Sequence, residues 1–92
     1  MIRWGIIGPG SIARVFCNGL RFSQTGEAVA VASRDEGKAQ HFADLFSIGT
    51  VHASYEALLA DDGVDAVYVA TIHPAHLEWV EKAAAAGKHI RS

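Results

Sequence analysis

The chain has 92 residues, 50% of them apolar and 20% charged, and a formal net charge of −2. That length bounds it to one domain with a small core, and the charge balance gives no electrostatic reason to expect nucleic acid or an acidic membrane surface as partner. A single cysteine, Cys17, excludes an internal disulfide. No basic leader precedes an apolar core, and no apolar run nears the ~18 residues of a membrane span, so the expectation is a soluble cytoplasmic domain.

Ile2 to Ile7 is nearly continuous in apolar character, as in a strand covered on both faces of a parallel sheet. After the turn Gly8-Pro9-Gly10 a helix begins near Ser11, with Ile12, Val15, Phe16 and Leu20 spaced to present one apolar face to that sheet. Gly19 weakens this helix by on the order of 1 kcal/mol relative to Ala unless a neighbour packs closely there, and Ser23-Gln24-Thr25-Gly26 ends it. Ala28 to Ala32 is a small-residue strand closed by Ser33-Arg34-Asp35, with Asp35 placed to cap the next helix. In that helix Ala39, Phe42, Ala43 and Phe46 form a buried stripe.

Thr50 to Ala53 leans toward strand, Ser54 caps a brief helix through Leu59, and Asp61-Asp62-Gly63 is a turn. Val64 to Ala70 reads as a buried strand. Pro74 suits the first position of the last helix and Gly87 the position just past its end. His89 and Ile90 begin a fifth strand, and the sequence stops after Ser92. Strands alternating with helices predict right-handed crossovers and an α/β fold, a doubly wound parallel sheet of Rossmann type that breaks off after its fifth strand.

The first turn carries the most chemistry. Gly8, Gly10 and Ala13 have the G-x-G-x-x-A spacing of a dinucleotide-binding turn. In such a turn Gly8 permits the bend, Gly10 lets a pyrophosphate approach the backbone, and Ala13 lets helix and strand pack closely. Ser11 and Ile12 then lie beside the pyrophosphate and donate through backbone N–H groups at the positive end of the helix dipole. The plainer readings are a strand-to-helix turn without ligand, and Ser11 as a helix cap alone.

The end of the second strand bears on the choice of cofactor. An acid about 20 residues on from the glycine turn holds the ribose 2′-OH of NAD, whereas a nearby Arg accommodates the 2′-phosphate of NADP. Here the position holds Ser33, followed by Arg34. A serine does not repel a phosphate and a guanidinium binds one through two hydrogen bonds, so NADP is favoured. Asp35 next to Arg34 can also serve a ribose hydroxyl, which leaves NAD possible.

Thr71, His73 and His76 follow the fourth strand, at the carboxyl ends where open α/β sheets bind ligands. His73 and His76, three apart, lack the further ligands a metal site needs; their plainer roles are as a cap and a half-buried helix residue. Tyr55 lies either beside an adenine or in packing under the short helix. Cys17 packs in the first helix, and His41, His52 and His89 have no evident partner.

Five segments, I-R-W-G-I-I-G-P-G-S-I-A, V-A-V-A-S-R-D, S-Y-E-A-L-L-A, V-D-A-V-Y-V-A-T-I-H-P-A-H and A-G-K-H-I, resemble in that order the N-terminal domain of the glucose-fructose oxidoreductase and inositol dehydrogenase family (Gfo/Idh/MocA). T-I-H-P-A-H is most similar to its dihydrodiol dehydrogenase and sugar reductase branch. The resemblance implies a domain that binds NAD or NADP, and hydride transfer on sugars, cyclitols or diols. It implies that Lys38 contacts the 2′-phosphate, with solvated surface charge as the plain reading for Lys38 and Arg34 alike. It also sets the loop of Thr71 and His73, and His76 after it, along the nicotinamide half of the cofactor.

Family members continue into a Glu-Lys-Pro segment with a catalytic lysine and into a second, substrate-binding domain, neither of which is in these residues. The expectation is therefore a cofactor-binding domain over residues 1–92, a fragment inactive alone, with no catalytic residue assigned. From a different class, a non-catalytic nucleotide-binding or self-associating module remains open, with a homodimer formed through the free fifth-strand edge.

Overall fold

Side chains alternate between the two faces of a strand, and this alternation divides the apolar residues of the sheet into two cores. The computed structural model describes residues 1–8, 10–71 and 75–92. Its elements are β1 (Ile2–Ile7), α1 (Ser11–Arg21), β2 (Gly26–Ala32), α2 (Glu36–Phe46), β3 (Thr50–His52), α3 (Tyr55–Leu59), β4 (Ala66–Val69), α4 (Ala75–Ala85) and β5 (His89–Arg91). The sheet order is β3-β2-β1-β4-β5 with every pair parallel. Strand order therefore reverses between β1 and β4, the switch point at which doubly wound sheets bind ligands.

On one face Ile6, Val31 and Tyr68 pack with Ala13 and Cys17 of α1 and Phe42 and Ala43 of α2. On the other Ile7, Ala30, Ala32, Val67 and Val69 pack with Tyr55, Leu58 and Leu59 of α3 and Trp79 and Ala83 of α4. The register slips after Trp4, which pairs with Ala28 while Gly5 pairs with Ala30, so β2 carries one extra residue at Val29.

The elements follow the sequence reading closely, with β4 shorter than the span Val64 to Ala70. Asp35 caps α2 by accepting from Lys38 N at 3.2 Å, and Ser54 caps α3 by accepting from Ala57 N at 3.0 Å. Gly87 takes a left-handed φ of 79° past the end of α4. The expectation for Pro74 lies outside the described residues.

The buried face of α1 differs from the expected one. Ile12 and Val15 are 64% and 73% exposed, whereas Ala13 and Cys17 are at 0% and 2%. The cause is size: Ala13 must face the sheet for the helix to come close, and Cys17 one turn on shares that face. Ile12 and Val15 turn outward as a result. Burial pushes the Cys17 thiol up to about 11, so it is an unreactive packing group.

Two polar ties pin the sheet's connections. Arg3 donates from Nη2 and Nε to the two oxygens of Asp65 at 2.8 and 3.0 Å, and its backbone N–H adds a third bond at 3.0 Å. His52, for which the sequence offered no partner, has Nε2 at 2.8 Å from Asp61 Oδ2, and Asp61 Oδ1 accepts from Gly63 N at 2.8 Å.

The Arg3 hydrogen bonds hold the Asp65 carboxyl well below the usual carboxylate range, and the hydrogen bond from His52 lowers that of Asp61. A carboxylate depressed in the folded state contributes stability that is present above its unfolded pKa and is lost as pH falls. Thermal midpoints should therefore fall as pH drops from about 5 to 2, and Asp65→Asn should flatten that decline; an equally steep acid limb in the variant would refute the assignment. A Cβ at Gly19 would meet no atom within 4 Å. Gly19→Ala should accordingly raise stability by about 0.5–1 kcal/mol in urea unfolding, and a loss would mean that the site is constrained.

Candidate dinucleotide site

The turn after β1 is fixed by one backbone angle. Gly8 has φ 85°, and its N–H donates to Ala32 O at the end of β2 at 3.1 Å. A Cβ there would lie 3.2 Å from Thr71 Cγ2 and 3.3 Å from the carbonyl carbon of Ala70. Conformation and space both demand glycine at this position. Gly10 is under neither demand, since its backbone is extended and a Cβ would meet nothing within 4 Å. The space before it is open.

Gly10 is also the N-cap of α1, and it offers no side-chain acceptor to the helix. No acidic residue stands in the first turn, and the first intrahelical bond runs from Arg14 N to Gly10 O at 2.9 Å. The N–H groups of Ser11, Ile12 and Ala13 precede that bond and are orphans of the helix start. Capped by Asp35 and Ser54, α2 and α3 lack this feature.

Beside the turn lies a cavity of about 380 Å³ lined by Gly8, Ser33, Arg34, Lys38, Tyr55 and Thr71. A second, of about 590 Å³, is lined by Gly10, Arg14, Asp35, Lys38 and His41. Asp35 and Lys38 border both. The fold thus gathers Gly8, Gly10, Ser33, Arg34, Lys38 and Thr71 from three strand ends.

The other expected residues sit apart from these cavities. Ala13 is buried beneath the turn, and Ser11 is exposed. The Ile12 side chain borders a separate groove with Phe16, Tyr68 and Arg91. His76 is half-buried on α4 and lines neither cavity, and His73 lies outside the described residues. Arg14 and His41 were missed by the sequence reading. Their spacing was the signal, since Arg14 is four residues beyond Gly10 and His41 three beyond Lys38, each on the same side of its helix.

Ser33 is 8% exposed, and its Oγ accepts from Asp35 N at 3.1 Å, leaving the hydroxyl proton free to donate. Among the described residues, neither Arg34 nor Lys38 belongs to an ion pair. Among the described residues Thr71 Oγ1 is buried without a hydrogen-bond partner. Tyr55 packs in the core, the plainer of its two sequence readings, and also lines the smaller cavity. Among the described residues no three His, Cys, Asp or Glu side chains cluster to hold a metal, and no helix is long and apolar enough to cross a membrane.

An open glycine cradle, orphan N–H groups, two unneutralised cations and an orphan hydroxyl suit a ligand that carries phosphates and sugar hydroxyls. Known proteins agree with that chemistry. The chain is 42% identical over 91 residues to trans-1,2-dihydrobenzene-1,2-diol dehydrogenase of Mus musculus, covering 97% of this chain and 27% of that enzyme. It is 52% identical over 64 residues to D-xylose 1-dehydrogenase (NADP(+)) 2 of Haloferax volcanii, covering 70% of this chain and 20% of that enzyme. In structure it is similar to KijD10, a 3-ketoreductase from Actinomadura kijaniata in complex with NADP and TDP-benzene, with a TM-score of 0.91 and 40% identity over 97% of this chain and 27% of that one. The chain thus spans about a quarter of the length of the relatives it matches. Residues 2–91 match the GFO_IDH_MocA model, described as "Oxidoreductase family, NAD-binding Rossmann fold", and the chain belongs to that family.

Proposed function

We propose that residues 1–92 form the cofactor-binding domain of a two-domain oxidoreductase that prefers NADP and acts on a sugar-, cyclitol- or diol-type substrate. The observation that carries the preference is the pair of unneutralised cations, Arg34 and Lys38, in the cavity that Gly8 and Ser33 also line. An acid at position 33 would repel a 2′-phosphate; Ser33 instead has a hydroxyl proton to donate, and Arg34 can bind with two. The orphan N–H groups of Ser11, Ile12 and Ala13 hold the pyrophosphate, with Gly10 granting close approach. Thr71 and, beyond it, His73 and His76 attend the nicotinamide half. A nicotinamide bound there would supply hydride transfer. The catalytic lysine belongs to the Glu-Lys-Pro segment of the family's longer chains and the substrate pocket to their second domain, so residues 1–92 bind cofactor without turnover. The thiol of Cys17 and the absence of any disulfide suit a reducing cytoplasm.

Binding is tested by titrating NADPH and NADH and following cofactor fluorescence. Arg34→Ala should weaken NADPH much more than NADH, and equal losses would remove the NADP preference. Gly10→Ala should unfold as the wild type does yet bind either cofactor at least tenfold more weakly, the ~1.4 kcal/mol equivalent of one lost phosphate contact. Unchanged binding in that variant would reduce the turn to a connection.

A second reading is self-association, favoured by the sheet's open end. β5 is an edge strand with His89 and Arg91 exposed. Beside it, exposed Ile12 and Val15 border a groove floored by Phe16 and Tyr68, whose rings stack at 4.1 Å. An edge and an apolar groove together invite a second copy of the chain. Light scattering at rising concentration should then report a dimer, and a clean monomer at millimolar protein would refute this reading.

A further inference from the structure

A guanidinium at the end of a long side chain loses rotamer freedom when it grips an anion, and prior positioning lowers that cost. A carboxylate partner would position Arg34 but would also neutralise it and compete with the phosphate. The aromatic face of Tyr55 holds a cation without cancelling its charge. The Arg34 guanidinium carbon lies 5.8 Å from the centre of the Tyr55 ring.

Tyr55 is itself held firmly. It opens α3 behind the Ser54 cap and is 8% exposed. Its ring meets Trp79 of α4 edge to face, with centroids 4.8 Å apart and planes at 86°. Trp79 is 4% exposed, and the Lys82 ammonium lies 4.5 Å from its ring centre, fixed by Glu78 at 2.9 Å. The ring under Arg34 is thus anchored by two helices on the far side of the sheet from α2.

We propose that Tyr55 is a positioning residue for cofactor choice: anchored on Trp79, its ring holds the Arg34 guanidinium over the cleft, ready for a 2′-phosphate. This rests on the reading that Arg34 receives that phosphate. Tyr55 acts through Arg34 and not on the nicotinamide chemistry. Its effect therefore falls on the ratio of NADPH to NADH affinity, which a merely structural role would leave unchanged.

The test is a double-mutant cycle on the 92-residue chain, with NADPH and NADH dissociation constants for the wild type, Arg34→Ala, Tyr55→Leu, Tyr55→Phe and the Arg34→Ala/Tyr55→Leu pair. Tyr55→Leu should lower the NADPH preference about two- to fivefold, the equivalent of ~0.5–1 kcal/mol for a cation over an aromatic ring at an exposed site. Tyr55→Phe should retain it, and Tyr55→Leu should change nothing further in the Arg34→Ala background. If Arg34→Ala abolishes the preference while Tyr55→Leu spares it, or if Tyr55→Leu weakens both cofactors equally, the positioning role is overturned and the phosphate reading stands. If Arg34→Ala leaves the preference intact, or the wild type binds neither cofactor, both fall. A readout that needs neither ligand nor variant is the proton NMR spectrum of Arg34. Its side-chain signals should be shifted upfield by the Tyr55 ring current, and random-coil positions would overturn the proposal directly.

Discussion

Everything at the carboxyl end of the sheet depends on the left-handed backbone of Gly8. Its φ of 85° turns the chain within one residue of β1, and the lack of a Cβ lets that turn lie against Ala70 and Thr71 beyond β4. The same residue donates to Ala32 at the end of β2. One glycine therefore joins three strand ends, and where it places the chain decides where α1 begins. A side chain there would be strained and crowded at once. The consequence for function is that the orphan N–H groups of α1 open at the switch point, between the cations after β2 and the hydroxyl of Thr71.

The two sides of the site rest on different physics. The turn and the start of α1 offer backbone dipoles, whose position is set by the fold and is insensitive to side-chain identity. The β2 end offers side chains, whose charge is set by what does not neutralise them. Asp35 is the nearby acid, and its carboxylate is engaged as the cap of α2. Among the described residues neither Arg34 nor Lys38 forms an ion pair with it. Tyr55 belongs to the core and to the cavity wall together, so packing in the α3 and α4 layer bears directly on how the site is shaped.

Much of this was legible in the sequence because it is local. Short, nearly continuous apolar runs located the strands, Asp35 and Ser54 announced their caps, and the G-x-G-x-x-A spacing marked the turn. The buried face of α1 was misread because large apolar side chains dominate a helical pattern, while here the contact is made by the small Ala13 and Cys17 and leaves Ile12 and Val15 outside. Arg3 with Asp65 and His52 with Asp61 are separated by 62 and 9 residues. Such pairs exist only once the sheet has formed, and no local pattern carries them. Arg14 and His41 were hidden for a related reason: each is an ordinary surface residue on its own helix until α1 and α2 meet.

The central claim is that the backbone at the start of α1 and the side chains after β2 hold one dinucleotide between them. A ¹H–¹⁵N NMR titration of the chain with NADPH tests it most directly, because amide signals report position without requiring turnover. The account predicts saturable shifts concentrated at Gly8, Gly10, Ser11, Ile12 and Ala13 and again at Ser33 to Lys38, with β5 unmoved. Shifts confined to the α1 and β5 groove, or spread evenly over the surface, would contradict it.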